Sequence, residues 1–258
     1  RSIVSPSWLD RLLAPVLLRI SANAVTIFCQ GETTHHGLDA NDGETPPWKR
    51  CLRNAEPDLA ALRLPRLQRR VRIVIGNDLT RYVVLPWTEQ RLDVAERVQY
   101  ARMLFEERYG RDHGSSEIAI ETPRFGMPSL AAAIDREVTD ELAATMARCG
   151  LRISSLVPAV VDRLDVCRAQ LRDAKAGWVA DTDDGQLVTL AFADGRWLRV
   201  SSQRRGDDHQ SLDARLLESL RRDAIAFPAL LDGQVLLAGA AQFDGIAEWP
   251  VIPLGAPA

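Results

Sequence analysis

The chain has 258 residues, of which 46% are hydrophobic and 26% charged, a composition typical of a globular protein with a sizeable core. Its formal net charge of -3 provides no basic field for nucleic acid or an anionic bilayer, so neither is expected as a partner. The four cysteines lack CxxC spacing, which predicts reduced thiols rather than a disulfide scaffold or a zinc site, and no apolar stretch approaches the ~20 residues that span a bilayer.

The start of the chain predicts a short capped helix, SPSWLDRLLAP, followed by two antiparallel strands at 16–21 and 24–30. Residues 31–63 carry glycines, aspartates and a proline pair with little periodicity, which predicts a mobile loop over much of the segment. The adjacent His35 and His36 inside it point to opposite sides of an extended chain, which favours solvated histidines over a metal site.

The middle of the chain predicts a second hairpin and two helices. VRIVIGNDLTRYVVLPW places Gly-Asn-Asp turn chemistry at 76–78 between two runs rich in β-branched residues. The next segment has helical periodicity, with Thr88 as its cap and Gly110 as its end. EIAIET (117–122) is predicted as a strand, and AAAIDREVTDELAATMARCG (131–150) as a helix stopped by a glycine.

The last part of the chain alternates between the two kinds of element. LRISSLV (151–157) is predicted as a strand and PAVVDRLDVCRAQLRDA (158–174) as one helix that opens with proline. Residues 178–201 predict two or three antiparallel strands, 208–227 a helix, and 234–240 a buried strand, with a last short strand after it. Hairpins mixed with alternating helices predict an α/β fold built on mixed sheets.

Three segments occur in the order that an actin-like nucleotide-binding fold requires. They are the hairpin RISANAVT (19–26), the segment GWVADTDDGQLVTLAFADGRWLRVSSQRR (177–205) and VLLAGAAQFDGIAEWPVIPL (235–254). The chain therefore resembles the PilM-type pilus assembly proteins and the cytoplasmic domain of the type II secretion protein GspL, over most of residues 12–254. The resemblance implies an actin-like, ribonuclease H-like α/β fold, with two sheet-centred halves and an inserted small α/β subdomain.

The same resemblance divides the chain and implies its setting. Residues 1–63 and 151–175 would form the first half, 64–150 the inserted subdomain and 176–258 the second half. A cytoplasmic location peripheral to the bacterial inner membrane is implied, with the short cytoplasmic tail of an inner-membrane pilus or secretion protein as the partner. The choice between pilus and secretion system stays open, as does assembly into a homo-oligomer.

The first two turns that would grip a nucleotide have lost part of their chemistry. In the first, Arg19, Ser21 and Thr26 stand where the family has an acidic residue, a glycine and a lysine. In the second, Asp181 keeps the expected acid, but Asp183 stands where a glycine is expected and Asp184 adds another negative group. Carboxylates within ~6 Å of a triphosphate repel it unless a divalent metal intervenes.

At the third turn, the family's paired glycines have become Gly239-Ala240, which narrows the adenosine slot. We therefore expect no catalysis and no cofactor, with ATP and magnesium as the alternative. The positions that would contact a nucleotide, if one binds, are Ser21, Asn23, Asp181, Asp183, Gly185 and Gly239.

If the protein catalyses no reaction, we expect its function to be the binding of a protein partner. PilM-like proteins take up a short apolar peptide, so the resemblance implies a peptide groove, which needs aromatic and aliphatic anchors. Tyr82, Leu85 and Trp87 are predicted to line it, Trp87 foremost, with the ordinary core of the inserted subdomain as their alternative role. Three functions stay open: a non-catalytic scaffold, an ATP-binding switch of the same fold, and an unrelated α/β hydrolase or transferase built on a single sheet.

Overall fold

The computed structural model of the chain describes residues 16–37, 45–65, 68–110, 115–122, 124–182, 186–204, 211–239 and 248–254. Its strands are β1 Val16–Ile20, β2 Ala24–Cys29, β3 Glu32–Gly37, β4 Arg70–Ile75, β5 Thr80–Leu85, β6 Ser116–Ile120, β7 Ser129–Asp135, β8 Arg152–Pro158, β9 Ala176–Asp181, β10 Gln186–Ala193, β11 Arg196–Arg204, β12 Gln234–Ala238 and β13 Val251–Pro253. Its α-helices are α1 Pro47–Ala61, α2 Val94–Tyr109, α3 Arg136–Arg148, α4 Ala159–Val166, α5 Arg168–Asp173 and α6 Leu212–Ala226. No helix in these ranges is both long and apolar enough to cross a bilayer.

Two five-stranded sheets share one topology. The first has the order β3-β2-β1-β4-β8 and the second β11-β10-β9-β12-β13. In each sheet, three consecutive strands form an antiparallel meander. A fourth strand pairs parallel with the first strand of the meander, and a fifth pairs parallel with the fourth. This arrangement confirms the predicted α/β class with two sheet-centred halves, and it excludes the alternative of a single undivided sheet.

Each half buries its sheet against helices. α1 and α3 cover the first sheet through apolar residues such as Leu52, Leu59 and Leu142, which have at most 1% of their surface exposed. α6 covers one face of the second sheet, where Leu216 and Leu220 are fully buried. Burial of such side chains is the main favourable term that holds each sheet to its helices.

A third sheet, of order β5-β7-β6, lies between β4 and β8 in the chain and forms the core of the inserted subdomain. One face packs against α2, where Ala101 and Phe105 are fully buried. The other face presents Tyr82, Leu130 and Ala132 to the second five-stranded sheet. The inserted subdomain therefore shares a hydrophobic core with the second half.

The predicted hairpin across residues 76–78 is wrong. β4 pairs parallel with β1 and β8, whereas β5 pairs antiparallel with β7 in the third sheet. A 3-10 turn at Asn77–Leu79 carries the chain from one sheet to the next. Hydrogen bonding thus assigns β4 to the first half, although the predicted division placed residues from 64 onward in the inserted subdomain; its other boundaries stay predictions.

Four further predictions on local structure need correction. The segment 31–63, predicted to be largely loop, contains β3 and α1, so His35 and His36 lie on an edge strand. The helix predicted from residue 131 begins at Arg136, and the one predicted over 158–174 divides at Cys167. The helix predicted to be capped by Thr88 begins instead with the Asp93–Glu96 capping box. The predicted end of that helix at Gly110 is confirmed, whereas the capped helix predicted before residue 16 lies outside the described residues.

Candidate functional site

The carboxyl ends of parallel strands meet at one edge of each sheet, which is where ligands bind in open α/β sheets. In the first half this edge carries the β1–β2 turn, the 3-10 turn after β4 and the start of α4. In the second half it carries the turn after β9 and the end of β12. The predicted nucleotide-binding turns therefore occupy matching positions on the two halves.

The β1–β2 turn is closed by its own bonds. The backbone N–H of Ser21 donates to the Ala24 carbonyl oxygen at 2.8 Å, and the Ser21 side chain is 6% exposed. The N–H of Ala22 points out of the turn and donates to Oδ2 of Asp78 at 2.7 Å. Asn23 is exposed at the tip, whereas Thr26 lies outside the turn on β2 and pairs with His35.

Asp78 places a partly buried carboxylate against the first predicted nucleotide-binding turn, where it accepts the N–H of Ala22. Burial raises the pKa of Asp78, while hydrogen bonds from the backbone N–H groups of Ala22, Asp78 and Leu79, and the nearby guanidinium of Arg204, act in the opposite direction. A backbone N–H directed at an anion is the element that a phosphate loop depends on. In this chain that N–H is already bonded to a side chain of the same half.

At the second turn, Asp181 is fully buried and faces a cation. Its Oδ2 lies 3.8 Å from Nε of Arg163, which is 4% exposed. The Thr182 N–H and hydroxyl both donate to the Ala238 carbonyl oxygen at 3.2 Å. Gly239 follows with a φ of +110° and is exposed, while Asp183 and Gly185 lie outside the described residues.

Tyr82 belongs to this buried region and not to a surface groove. Its side chain is 0% exposed, and its hydroxyl donates to Oδ1 of Asn77 at 2.8 Å. Burial, and then the Asp181 carboxylate, raise the pKa of Tyr82 well above its ordinary value. Leu85 is also buried, at 4% exposure, so the prediction that Tyr82 and Leu85 line a peptide groove is wrong because both complete hydrophobic cores.

Trp87 differs from these two residues, since it is 39% exposed just beyond the end of β5. Its ring meets that of Phe125 edge to face, with the ring centroids 5.4 Å apart. Phe125 itself is 94% exposed. The pair forms an aromatic surface feature at one end of the third sheet, and its part in partner binding stays a prediction.

A groove of about 1220 Å³ opens where three elements of the molecule meet. One wall is the inserted sheet, through β6, β7 and the segment between them; the second is α4 with α5; the third is the tip of the β10–β11 hairpin. The apolar residues that line it include Ile120, Leu130, Val161, Leu164, Phe192 and Trp197. A mostly apolar groove with a few polar groups is the usual form of a binding site.

Two features give this groove the chemistry of a peptide site. β6 pairs only with β7 among the described strands, so its outer edge can accept an added strand, and Ala119 to Thr122 of this region line the groove. The rim carries both signs of charge, including Arg124 and Lys175 beside Asp173 and Asp194. The groove is therefore suited to an extended apolar segment and not to a strongly charged ligand.

Two charged residues that contact the predicted nucleotide-binding turns, Asp78 and Arg163, were not predicted as part of the site. Asp78 was predicted only as a turn residue, and Arg163 only as part of a helix. The available signal was a pair of adjacent charges, Asp162-Arg163, in an otherwise apolar helix start. Among the described residues, no group of three or more His, Cys, Asp or Glu side chains is placed to hold a metal ion.

Comparison with known proteins gives the fold a context. No protein-family model and no curated protein matches the chain. The type IV pilus biogenesis complex PilM–PilN contains a similar structure, with a TM-score of 0.62 and 16% identity over 94% of this chain and 88% of that one. The cytoplasmic domain of EpsL, an inner-membrane component of the Vibrio cholerae type II secretion system, is similar with a TM-score of 0.53 and 11% identity over 93% and 89%.

A third similar structure is a Bacteroides thetaiotaomicron protein of unknown function described as having an actin-like ATPase fold. Its TM-score is 0.59 and its identity 12%, over 92% of this chain and 87% of that one. These likenesses confirm the expected actin-like fold of the PilM and GspL type. At such low identity they establish the fold alone, because proteins that share a fold often differ in function.

Proposed function

We propose that this chain is a non-catalytic assembly scaffold that binds the cytoplasmic tail of an inner-membrane partner in the groove between β6, α4 and the β10–β11 hairpin. The observation that carries the proposal is an apolar groove whose wall includes β6, a strand that pairs only with β7 in the part of the chain that the structure describes. An extended tail would pair its backbone with β6 and place alternate apolar side chains on the groove floor.

The setting that we propose is the cytoplasmic face of a bacterial inner membrane, in a type IV pilus or type II secretion apparatus. Support comes from two of the similar structures, one a pilus biogenesis complex and the other a cytoplasmic domain of an inner-membrane secretion component. Two interactions at the predicted nucleotide-binding turns support the proposed absence of catalysis. The Ala22 N–H, which could bind a phosphate oxygen, is bonded to Asp78, and the Asp181 carboxylate, which could bind magnesium, lies beside Arg163.

Calorimetry with synthetic tail peptides of candidate inner-membrane partners tests the proposal. We expect the wild-type chain to bind one such peptide and Leu164→Glu to weaken binding by about tenfold or more, because a carboxylate on the apolar floor would be desolvated by the peptide. Leu231→Glu, at a 61% exposed position that does not line the groove, is the matched control and should bind normally. Equal peptide affinity for Leu164→Glu and wild type would refute the groove assignment.

The same titration with Mg-ATP separates the scaffold from the alternative of an ATP-binding switch. For a scaffold we expect no binding heat and no rise in melting temperature. For a switch we expect thermal stabilisation that Asp181→Ala abolishes. Turnover of ATP by the wild-type chain would overturn the proposal of a non-catalytic protein.

A further inference from the structure

Two consecutive residues of α4 carry buried charges that face different halves of the molecule. Asp162 pairs with Arg72 of β4 in the first sheet, and Arg163 lies 3.8 Å from Asp181 of β9 in the second. All four residues are buried, with 9%, 4%, 4% and 0% of their surface exposed for Asp162, Arg72, Arg163 and Asp181. The two pairs have opposite polarity, since the helix supplies the acid to one sheet and the base to the other.

Such pairs add little stability by themselves, but they are costly to break. A charge in a dry interior is strongly unfavourable once its partner is displaced, whereas the pair as a whole gains little over apolar residues of the same size. Both pairs on α4 are satisfied together only at one placement of the helix relative to the two sheets. The charges therefore select one arrangement of the halves.

The face of α4 opposite Asp162 and Arg163 lines the groove. Val161, Leu164 and Asp165 recur at helical spacing and all contribute to the groove wall, while Asp162 and Arg163 point away from it. Any shift of α4 that relaxes the ion pairs would move this wall. The position of the groove wall is thus coupled to the buried charges behind it.

We infer that Asp162 and Arg163 form a clamp that holds α4 between the two sheets, so that the chain's own charges fix the relative position of the halves and of the groove wall. The clamp acts within the chain and can be tested without a bound partner, whereas its effect on tail binding rests on the proposed function. Asp162 and Arg163 are positioning residues in this scheme and are not expected to touch the tail.

Hydrogen exchange of the 258-residue chain, measured by mass spectrometry without any peptide, tests the clamp. In Arg163→Met the Asp181 carboxylate remains buried without that cation, and we expect exchange in residues 159–166 and 176–182 to accelerate by about tenfold or more. The double variant Arg163→Met/Asp181→Asn should recover most of the protection, because both charges of the pair are then removed together. Arg222→Met, which breaks the exposed i,i+4 pair with Glu218, is the control and should exchange like wild type in both segments.

Unchanged exchange in Arg163→Met, or effects of Arg163→Met and Asp181→Asn that simply add in the double variant, would overturn the clamp. If Arg163→Met does not fold, folding of the double variant supports the clamp and its failure to fold contradicts it. For a tail that binds the wild type, Arg163→Met should lower affinity and the double variant restore it. A chain that binds no tail but shows the coupled exchange retains the clamp and refutes only the proposed function.

Discussion

At the scale of single residues, two carboxyl groups have surroundings that shift their pKa in opposite directions. Asp78 accepts the N–H of Ala22 at 2.7 Å, and burial raises its pKa. Glu248 presents the opposite case, since hydrogen bonds from Arg221 hold the pKa of its exposed carboxyl below the usual range. The two groups predict opposite effects of pH on stability.

For Asp78 the folded-state pKa lies above the unfolded value near 3.8, so its contribution to stability is complete below that pH and is lost as pH rises through the folded pKa. We expect Asp78→Asn to remove this loss, so that its free energy of unfolding rises relative to wild type between pH 3.8 and neutrality. Urea denaturation of both proteins across that range measures the difference. Glu248→Gln is the control. The lowered pKa of Glu248 gives a stability contribution that is complete above the ordinary value of 4.5 and is lost as pH falls below it, so this difference has the opposite slope and is measured in that lower pH range. A parallel pH dependence of Asp78→Asn and wild type contradicts the prediction.

At the scale of elements, close approach of β9 and β12 depends on Gly177. A Cβ atom at this position would lie 2.1 Å from the backbone oxygen of Gln234, closer than any real contact. Gly177 pairs with Gln234 in the parallel ladder of the second sheet, so the backbone of β12 cannot move away without loss of pairing. The glycine is therefore required by strand packing and not by a turn.

We expect Gly177→Ala to lower the free energy of unfolding by at least about 3 kcal/mol, because backbone atoms must shift to admit the methyl group. Gly195→Ala is the matched control. Gly195 has a φ of +70° and open space around it, so the same methyl group should cost only about 1–2 kcal/mol through backbone conformation. Chemical denaturation of the two variants measures both values, and equal losses would show that the clash is relieved.

Local sequence was a good guide to some elements and a poor one to others. The run SLAAAID is rich in alanine, a strong helix former, yet it forms β7, whose first six residues are buried. Its small side chains let α2 and the second sheet approach the two faces of a central strand. Tertiary packing overrides helix propensity there, and a single sequence gives no sign of the two covering layers.

At the scale of the whole molecule, the three sheets do not form independent units. Tyr82, Leu130 and Ala132 of the inserted sheet share a hydrophobic cluster with the second sheet, and α4 carries buried charges to both halves. The indole N–H of Trp197 also donates to Glu121 at 2.7 Å across the groove region. Loss of any one sheet would expose apolar surface of another.

We therefore expect the chain to unfold in one cooperative transition. Urea curves followed by far-UV circular dichroism and by tryptophan fluorescence should superimpose, because tryptophans report on more than one part of the structure. Trp48→Phe removes a buried tryptophan of the first half, and its fluorescence curve should still coincide with its own circular dichroism curve. Two separated transitions in either protein would show that the halves unfold independently.

The sequence by itself determined the α/β class, the actin-like fold and many of the strands and helices, but it predicted a wrong hairpin at 76–78 and a wrong loop at 31–63. The correct predictions follow from periodicity, turn residues and the resemblance of three ordered segments, all of which are local in the chain. Only the tertiary structure decided that β4 joins β1, that Tyr82 and Leu85 are core residues, and that Asp78 and Arg163 contact residues of the predicted nucleotide-binding turns. These outcomes depend on residues that are distant in the chain, such as Ala22 and Asp78, which are 56 positions apart, and such contacts leave no periodic signal in one sequence.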